Sequence, residues 1–133
     1  MYLLDTDTLS NLLKKNPSSS LLSHLSSLKR KDQFTTTITV AEMVYGAYKS
    51  SRPKYFLEKL NSLLLPKLTV LPFDESAARE YGKLRAFLEK RGIPMGEPDM
   101  RIASICLIHN LILVTGNTKH FSRVPKLQVE NWL

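Results

Sequence analysis

Oxygen-bearing side chains recur along this chain at places where an α/β fold would collect them. Asp5 and Asp7 follow directly on the short apolar run Tyr2–Leu4, and Glu42 lies just after the β-branched stretch "FTTTIT". Glu97 and Asp99 open the segment ahead of "LILVT", while Thr115 and Asn117 belong to its end and the residues just after it. If these apolar runs are parallel strands, four chain-distant segments meet at the carboxyl edge of one sheet, where such folds bind ligands. Crowded carboxylates raise one another's pKa, so the cluster is costly without a cation. A cage of this kind suits a hard divalent ion, Mg²⁺ or Mn²⁺, which prefers oxygen ligands and keeps several waters.

Each acid also has a plainer reading. Thr39 followed by Glu42 fits a capping box, with Thr39 as the N-cap of the helix that follows. Asp99 beside Pro98 complements a helix dipole, and Asp7 before Thr8 has the look of a helix cap. Asp5 is harder to explain away. It ends a buried strand, where an unpaired carboxylate is expensive without a cation or strong donors.

The elements that must position these residues follow from periodicity. Tyr2–Leu4 reads as a strand, and Thr8–Lys15 as a helix that stops before Pro17. A second helix spans about Ser19 to Arg30, with Leu21, Leu22, Leu25 and Leu28 at helical spacing. "FTTTIT" is a strand to about Thr37, leading into a helix with Val40, Met43, Val44 and Ala47 on one side. Another helix after Pro53 presents Phe56, Leu57, Leu60, Leu63 and Leu64, ending at Pro66. "LTVLPF" is the third strand; Asp74 caps a long helix to about Arg91, and Gly92 stops it. Pro98 sits in the first turn of the next helix, through about His109. "LILVT" is almost wholly apolar, as expected of a strand covered on both faces. A short turn around "NTKHF" and an extended piece near "LQVENW" close the chain. Strands alternating with helices predict an α/β fold, a sandwich on a mainly parallel sheet.

The totals agree with one domain over residues 1–133, since that length supports a single core. Apolar residues make up 43% and charged residues 23%, which excludes a disordered chain, and no apolar run reaches the length of a membrane span. The start of the chain reads as a strand instead of a targeting segment, so a cytoplasmic location is expected. The single cysteine, Cys106, excludes an internal disulfide framework and a cysteine-based zinc cluster, and reads as a small core residue. Lys and Arg outnumber acids 19 to 12, a net charge of +7 that favours a polyanionic partner.

Read alone, "DTDTL" resembles the nucleophile loop of haloacid-dehalogenase phosphatases, which carries Asp-x-Asp-Gly-Thr-Leu. It misses by one residue, and neither the lysine segment nor the later acidic loop of those enzymes is recognisable. The whole chain tells more. "YLLDTDTLS", "TTTITVAEMVYGA", "GIPMGEPDMRIAS" and "LILVTGNTKHFSRVPKLQVENW" occur in the order and spacing of a PIN-domain ribonuclease of the VapC toxin type, which this sequence resembles over essentially its full length. The resemblance implies a three-layer α/β/α sandwich and a Mg²⁺-dependent endoribonuclease that hydrolyses structured RNA of the translation machinery by metal-activated water. It also implies a toxin homodimer and a cognate antitoxin, encoded alongside, that occupies the active site.

Matched position by position, Asp5, Glu42 and Asp99 are the family's catalytic and metal-binding acids. Asn117 matches a polar residue after the last core strand, and Thr6 and Thr115 fall where small hydroxyl residues stand near the site. His120 departs from the pattern, because many relatives carry an acid there; an imidazole there would ligate Mn²⁺, hold a phosphate or lie in the loop as an ordinary histidine. Arg101, Lys119 and Arg123 flank the site and are candidates for RNA phosphates. The leucine-rich segments Leu21–Leu28 and Phe56–Leu64 are candidates for the antitoxin or for packing within the monomer or dimer. Two other classes stand beside this reading: a phosphoacceptor receiver domain with Asp74 as acceptor, and a non-catalytic RNA-binding or regulatory module of the same fold.

Overall fold

In the computed structural model, which describes residues 1–133, five short strands form one sheet in the order β3-β2-β1-β4-β5. They are β1 (Tyr2–Leu4), β2 (Gln33–Thr36), β3 (Thr69–Leu71), β4 (Ile112–Val114) and β5 (Val129–Glu130). All four pairings are parallel. The helices are α1 (Thr6–Asn11), α2 (Ser19–Ser26), α3 (Thr37–Lys49), α4 (Pro53–Lys59), α5 (Glu75–Lys90), α6 (Glu97–Ile108) and α7 (Thr118–Phe121).

Side-chain alternation along the central strands splits the interior into two layers. Leu3 and Leu113 face one way and pack with Ala77, Leu84 and Leu88 of α5 and Ile102, Ala103 and Ile105 of α6. Leu4 and Val114 face the other way, against Leu9, Leu21, Met43, Leu60 and Trp132. Both faces of the sheet are therefore covered, the α/β/α sandwich expected from the sequence. No helix is long and apolar enough to cross a membrane.

The chain order reverses at β1, whose neighbours are β2 and β4. This is the topological switch point at which such sheets open a crevice. It also removes the receiver reading, whose flavodoxin-like sheet order 2-1-3-4-5 puts β3 in the middle of the sheet. Here β3 is an edge strand, and Asp74 is an exposed helix cap that accepts from the Ala77 amide at 2.9 Å.

Three local expectations are corrected. The first helix begins at Thr6 and ends at Asn11, two residues earlier at its start than the apolar pattern suggests, so Asp5 is its N-cap and Asp7 lies inside its first turn. The α3 helix starts directly at the end of β2, with Thr36 as cap accepting from the Thr39 amide at 3.0 Å. The Thr39–Glu42 capping box therefore does not form. After α4 the backbone widens into a π-type turn over Leu60–Leu64 and tightens over Leu65–Lys67. Pro66 explains the irregularity, since it offers no amide and its ring clashes with the preceding turn. By contrast Gly92 ends α5 with φ +65°, the left-handed conformation that a C-terminal glycine supplies.

Candidate active site

Register assembles the site. Leu4 lies opposite Val114, so the next residues, Asp5 and Thr115, emerge side by side at the carboxyl end of the sheet. Asp5 is 6% exposed, and its two oxygens are held from different parts of the chain. Oδ1 accepts from the Thr6 amide at 2.8 Å and Oδ2 accepts from the Thr115 hydroxyl at 2.8 Å. No basic side chain forms an ion pair with it. Burial pushes its carboxyl up from 3.8 to about 6, against the lowering effect of those two donors, and the negative charges of Asp7 and Asp99 add to the rise.

Glu42 projects from α3 toward the same edge. The Thr6 hydroxyl donates to Glu42 Oε1 at 2.8 Å and lies 3.1 Å from the hydroxyl of buried Thr39, which can donate to it in turn. Asp99, in the first turn of α6, has its Oδ2 3.0 Å from His120 Nε2. The opposite ring nitrogen, Nδ1, is 2.6 Å from Arg123 Nη2. A guanidinium only donates, so Nδ1 is the acceptor and the ring proton sits on Nε2, which donates to Asp99. Both nitrogens of His120 are thereby engaged, and its carbonyl accepts from Arg123 Nε at 2.9 Å.

Asp7 has a different position from the one expected. Its Oδ2 accepts from the Gly116 amide at 2.9 Å, and its Oδ1 lies 3.3 Å from the Thr8 hydroxyl and 3.4 Å from that of Thr115. It braces the turn after β4. A Cβ on Gly116 would stand 2.8 Å from Asp7 Oδ2 and 2.8 Å from Leu133 Cδ1. Gly116→Ala is therefore expected to push the Asp7 carboxylate off the Gly116 amide and to lower stability by about 1 kcal/mol, the net worth of such a hydrogen bond, as measured by urea unfolding. Asn117 lies beside this turn, its amide donating to Thr115 Oγ1 at 3.1 Å.

The flanking cations divide. Arg123 is committed to His120, and Lys119 is exposed. Arg101 pairs with Glu97 one turn back on α6 at 2.9 Å and lies 5.3 Å from the Phe73 ring and 5.6 Å from that of Tyr81 on α5. Glu97 belongs to that same group, its carboxyl lowered by the Tyr81 hydroxyl and Arg101. Cys106 is inert core: burial pushes its thiol up to about 12, and it donates to the Leu111 carbonyl.

No three carboxylate or imidazole groups stand close enough to grip an ion by themselves. The donor set nonetheless fits a hard cation that binds through one or two carboxylates and retains water. Asp5 is a buried, uncompensated carboxylate, and Asp99 is near enough to raise its pKa.

The chain as a whole matches a known family. The PIN domain model covers residues 2–127. The chain is 35% identical over 133 residues to Ribonuclease VapC2 of Rickettsia felis, covering 99% of this chain and 98% of that one. This chain belongs to the VapC-type PIN-domain family. It is also 32% identical over 131 residues to the tRNA(fMet)-specific endonuclease VapC of Salmonella typhimurium, across 98% and 97% of the two chains. The crystal structure of DNA-bound VapBC from Salmonella typhimurium superposes on it with a TM-score of 0.92, at 32% identity and covering 99% and 98% of the chains.

Proposed function

We propose that the chain is the toxin of a cytoplasmic toxin–antitoxin pair, a divalent-metal-dependent endoribonuclease that cuts structured RNA of the translation machinery, tRNA or rRNA. The observation that carries this reading is Asp5: a buried carboxylate with no cationic partner, at the switch point of the sheet, beside Asp99. The names of the relatives, a VapC ribonuclease and a tRNA-specific endonuclease, support the same reaction class. The solved VapBC assembly supports a cognate antitoxin as partner, and the reading includes a toxin homodimer.

Asp5 and Asp99 are the residues that would hold the cation, Mg²⁺ or in its place Mn²⁺, with Glu42 a third ligand or a base. When bound, such an ion neutralises developing phosphate charge and lowers the pKa of water. The chain's own contribution is orientation. Thr6 and Thr115 fix both oxygens of Asp5; Thr6 fixes Oε1 of Glu42, leaving Oε2 to accept a proton from the attacking water; His120 fixes Oδ2 of Asp99. In-line attack on phosphorus would then break the P–O3′ bond, the departing 3′-oxygen taking a proton from solvent, to give a 5′-phosphate and a 3′-hydroxyl.

The deciding experiment is purified protein, freed of any partner, incubated with bulk tRNA and rRNA while new 5′-phosphate ends are mapped. Cleavage with Mg²⁺ that stops with EDTA is expected, together with inhibition by the product of a small neighbouring gene. A non-catalytic module would bind RNA and leave it intact, which would overturn the reading.

His120 provides a separate check. His120→Ala is expected to lower cleavage and Mn²⁺ affinity by about 10–100-fold, the usual cost of losing a partner that orients a metal ligand. His120→Gln, which keeps a donor near the Nε2 position, is expected to recover much of both. Calorimetric Mn²⁺ titration distinguishes this from a general loss of structure.

A further inference from the structure

Glu42 opens onto a hollow of about 430 Å³ that runs from it and Thr6 between α1, α3 and α4 past Leu13, Lys14 and Phe56. A second hollow, of about 400 Å³, shares Leu13, Lys14 and Phe56 with the first and adds Lys15, Arg52 and Lys59. The two adjoin at these shared residues. Side by side, they extend from Glu42 to a mouth ringed by four cations, none of which is paired with a carboxylate. The mouth is also organised by an aromatic ring: the guanidinium of Arg52 stacks 3.8 Å from the Tyr55 centroid, and Lys59 Nζ lies 5.0 Å from the same centroid. Cation–π contact holds both charges over one ring instead of leaving them to sweep through solvent.

The geometry points to this mouth as the segment of the RNA-binding surface that receives the substrate strand on one side of the cut, with Lys14, Lys15, Arg52 and Lys59 on its phosphates and the outer face of Arg52 available for stacking on a base. The inference rests on the nuclease reading and adds to it where the strand goes. A polyanion lying over Asp5, Glu42 and Asp99 is repelled there, so cations further along must hold it. The unneutralised ones at the end of the groove fit that need. Apolar walls (Leu12, Leu13, Phe56) beside free cations are the surface that single-stranded nucleic acid recognises, bases against side chains and phosphates against charge.

The test is fluorescence anisotropy with fluorescein-labelled bulk tRNA in EDTA, where binding is read without cutting. The triple variant Lys14→Ala, Arg52→Ala, Lys59→Ala is compared with a triple that removes the same charge from exposed sites elsewhere: Lys31→Ala, Lys83→Ala, Lys90→Ala. The first is expected to weaken binding more than roughly tenfold and to lower the slope of log affinity against log salt by about 0.9 for each lost contact. The second is expected to change the slope by less than about one. Lys14→Gln alone is the milder variant, with an expected slope change of about one, and keeps the test open if the triple melts below the wild type.

Equal losses from both triples would mean bulk charge alone and overturn the inference. So would wild-type RNA binding by the groove triple, including the case where it loses only inhibition by a protein partner, which would mark the mouth as a docking site for an acidic peptide. Wild-type cleavage with Mg²⁺ is scored in parallel. If the wild type cuts RNA and the groove triple binds it normally, this inference fails and the nuclease reading stands; if the wild type does not cut, the nuclease reading fails.

Discussion

Asp5→Asn is expected to yield a folded protein that is inactive and, without metal, more stable than the wild type. Activity should fall roughly 10³-fold, the scale of about 4 kcal/mol of lost transition-state stabilisation. Stability should move the other way because the carboxylate is a burden on the empty fold. Holding its carboxyl at about 6 against an ordinary 3.8 corresponds to about 3 kcal/mol at about 1.4 kcal/mol per pH unit. Between those two values the folded state keeps a proton that the unfolded chain has released. The penalty is therefore fully present above about pH 6, fades as the pH falls, and is absent below 3.8. An asparagine is neutral throughout. It retains an acceptor for the Thr6 amide and can donate to Thr115, which already takes a bond from the Asn117 amide. Melting curves in EDTA should separate the two proteins by about 1–3 kcal/mol at pH 7.5 and hardly at all at pH 4. For the same reason cation affinity of the wild type should fall below about pH 6, where the proton competes. Cleavage by the variant within tenfold of the wild type would remove Asp5 from the reaction. A pH-independent stability difference would remove the burial argument.

Phe121→Ala is the second large expected effect, and it acts through stability. The ring is 1% exposed in the cluster formed with α5 and α6, and closes the four-residue helix α7. Truncating a buried phenylalanine costs about 3–5 kcal/mol, a large share of the 5–15 kcal/mol that holds a typical domain together. The His120 ring meets Phe121 edge-on, with centroids 5.2 Å apart, so the loss also frees the imidazole that fixes Asp99. Denaturant unfolding should show the drop in stability. Mn²⁺ titration at low temperature, where the fold survives, should show weaker binding. Phe121→Leu fills most of the same space and should retain both properties far better. Should Phe121→Ala unfold at the same denaturant concentration as the wild type, α7 is not anchored by this ring.

Much of the layout was legible because the strands are short, apolar and covered on both faces, a pattern that helices do not share. Asp5 stood out for the same reason: a charge at the end of such a run is conspicuous. The errors arose where several residues could do the same job. "TTTIT" offers a hydroxyl cap at four positions, and only the pairing of β2 with β1 and β3 decides that Thr36 ends the strand. Asp5 and Asp7 are both good caps, and only the immediate strand-to-helix turn shows that the first one serves. Arg101 pairs with Glu97 on a different face of α6 from Asp99, since two residues along a helix turn a side chain by about 200°. The basic mouth was beyond reach from sequence. Lys14 and Lys15 are separated from Arg52 and Lys59 by the length of two helices and a strand, and a net charge of +7 says nothing of where cations gather.

The bond between Thr115 and Asp5 joins residues 110 positions apart. Because β1 is sandwiched between β2 and β4, the first strand of the chain cannot complete its hydrogen bonding until nearly the last has been made. Pairings over such separations form late and slowly. The timing has a consequence for an enzyme that attacks RNA. A chain still emerging during synthesis holds Asp5 and Glu42 before Asp99, Thr115 or His120, and so lacks part of the proposed set of acids. On the proposed set of acids, competence arrives only once the segment carrying Asp99, Thr115 and His120 has been made and paired.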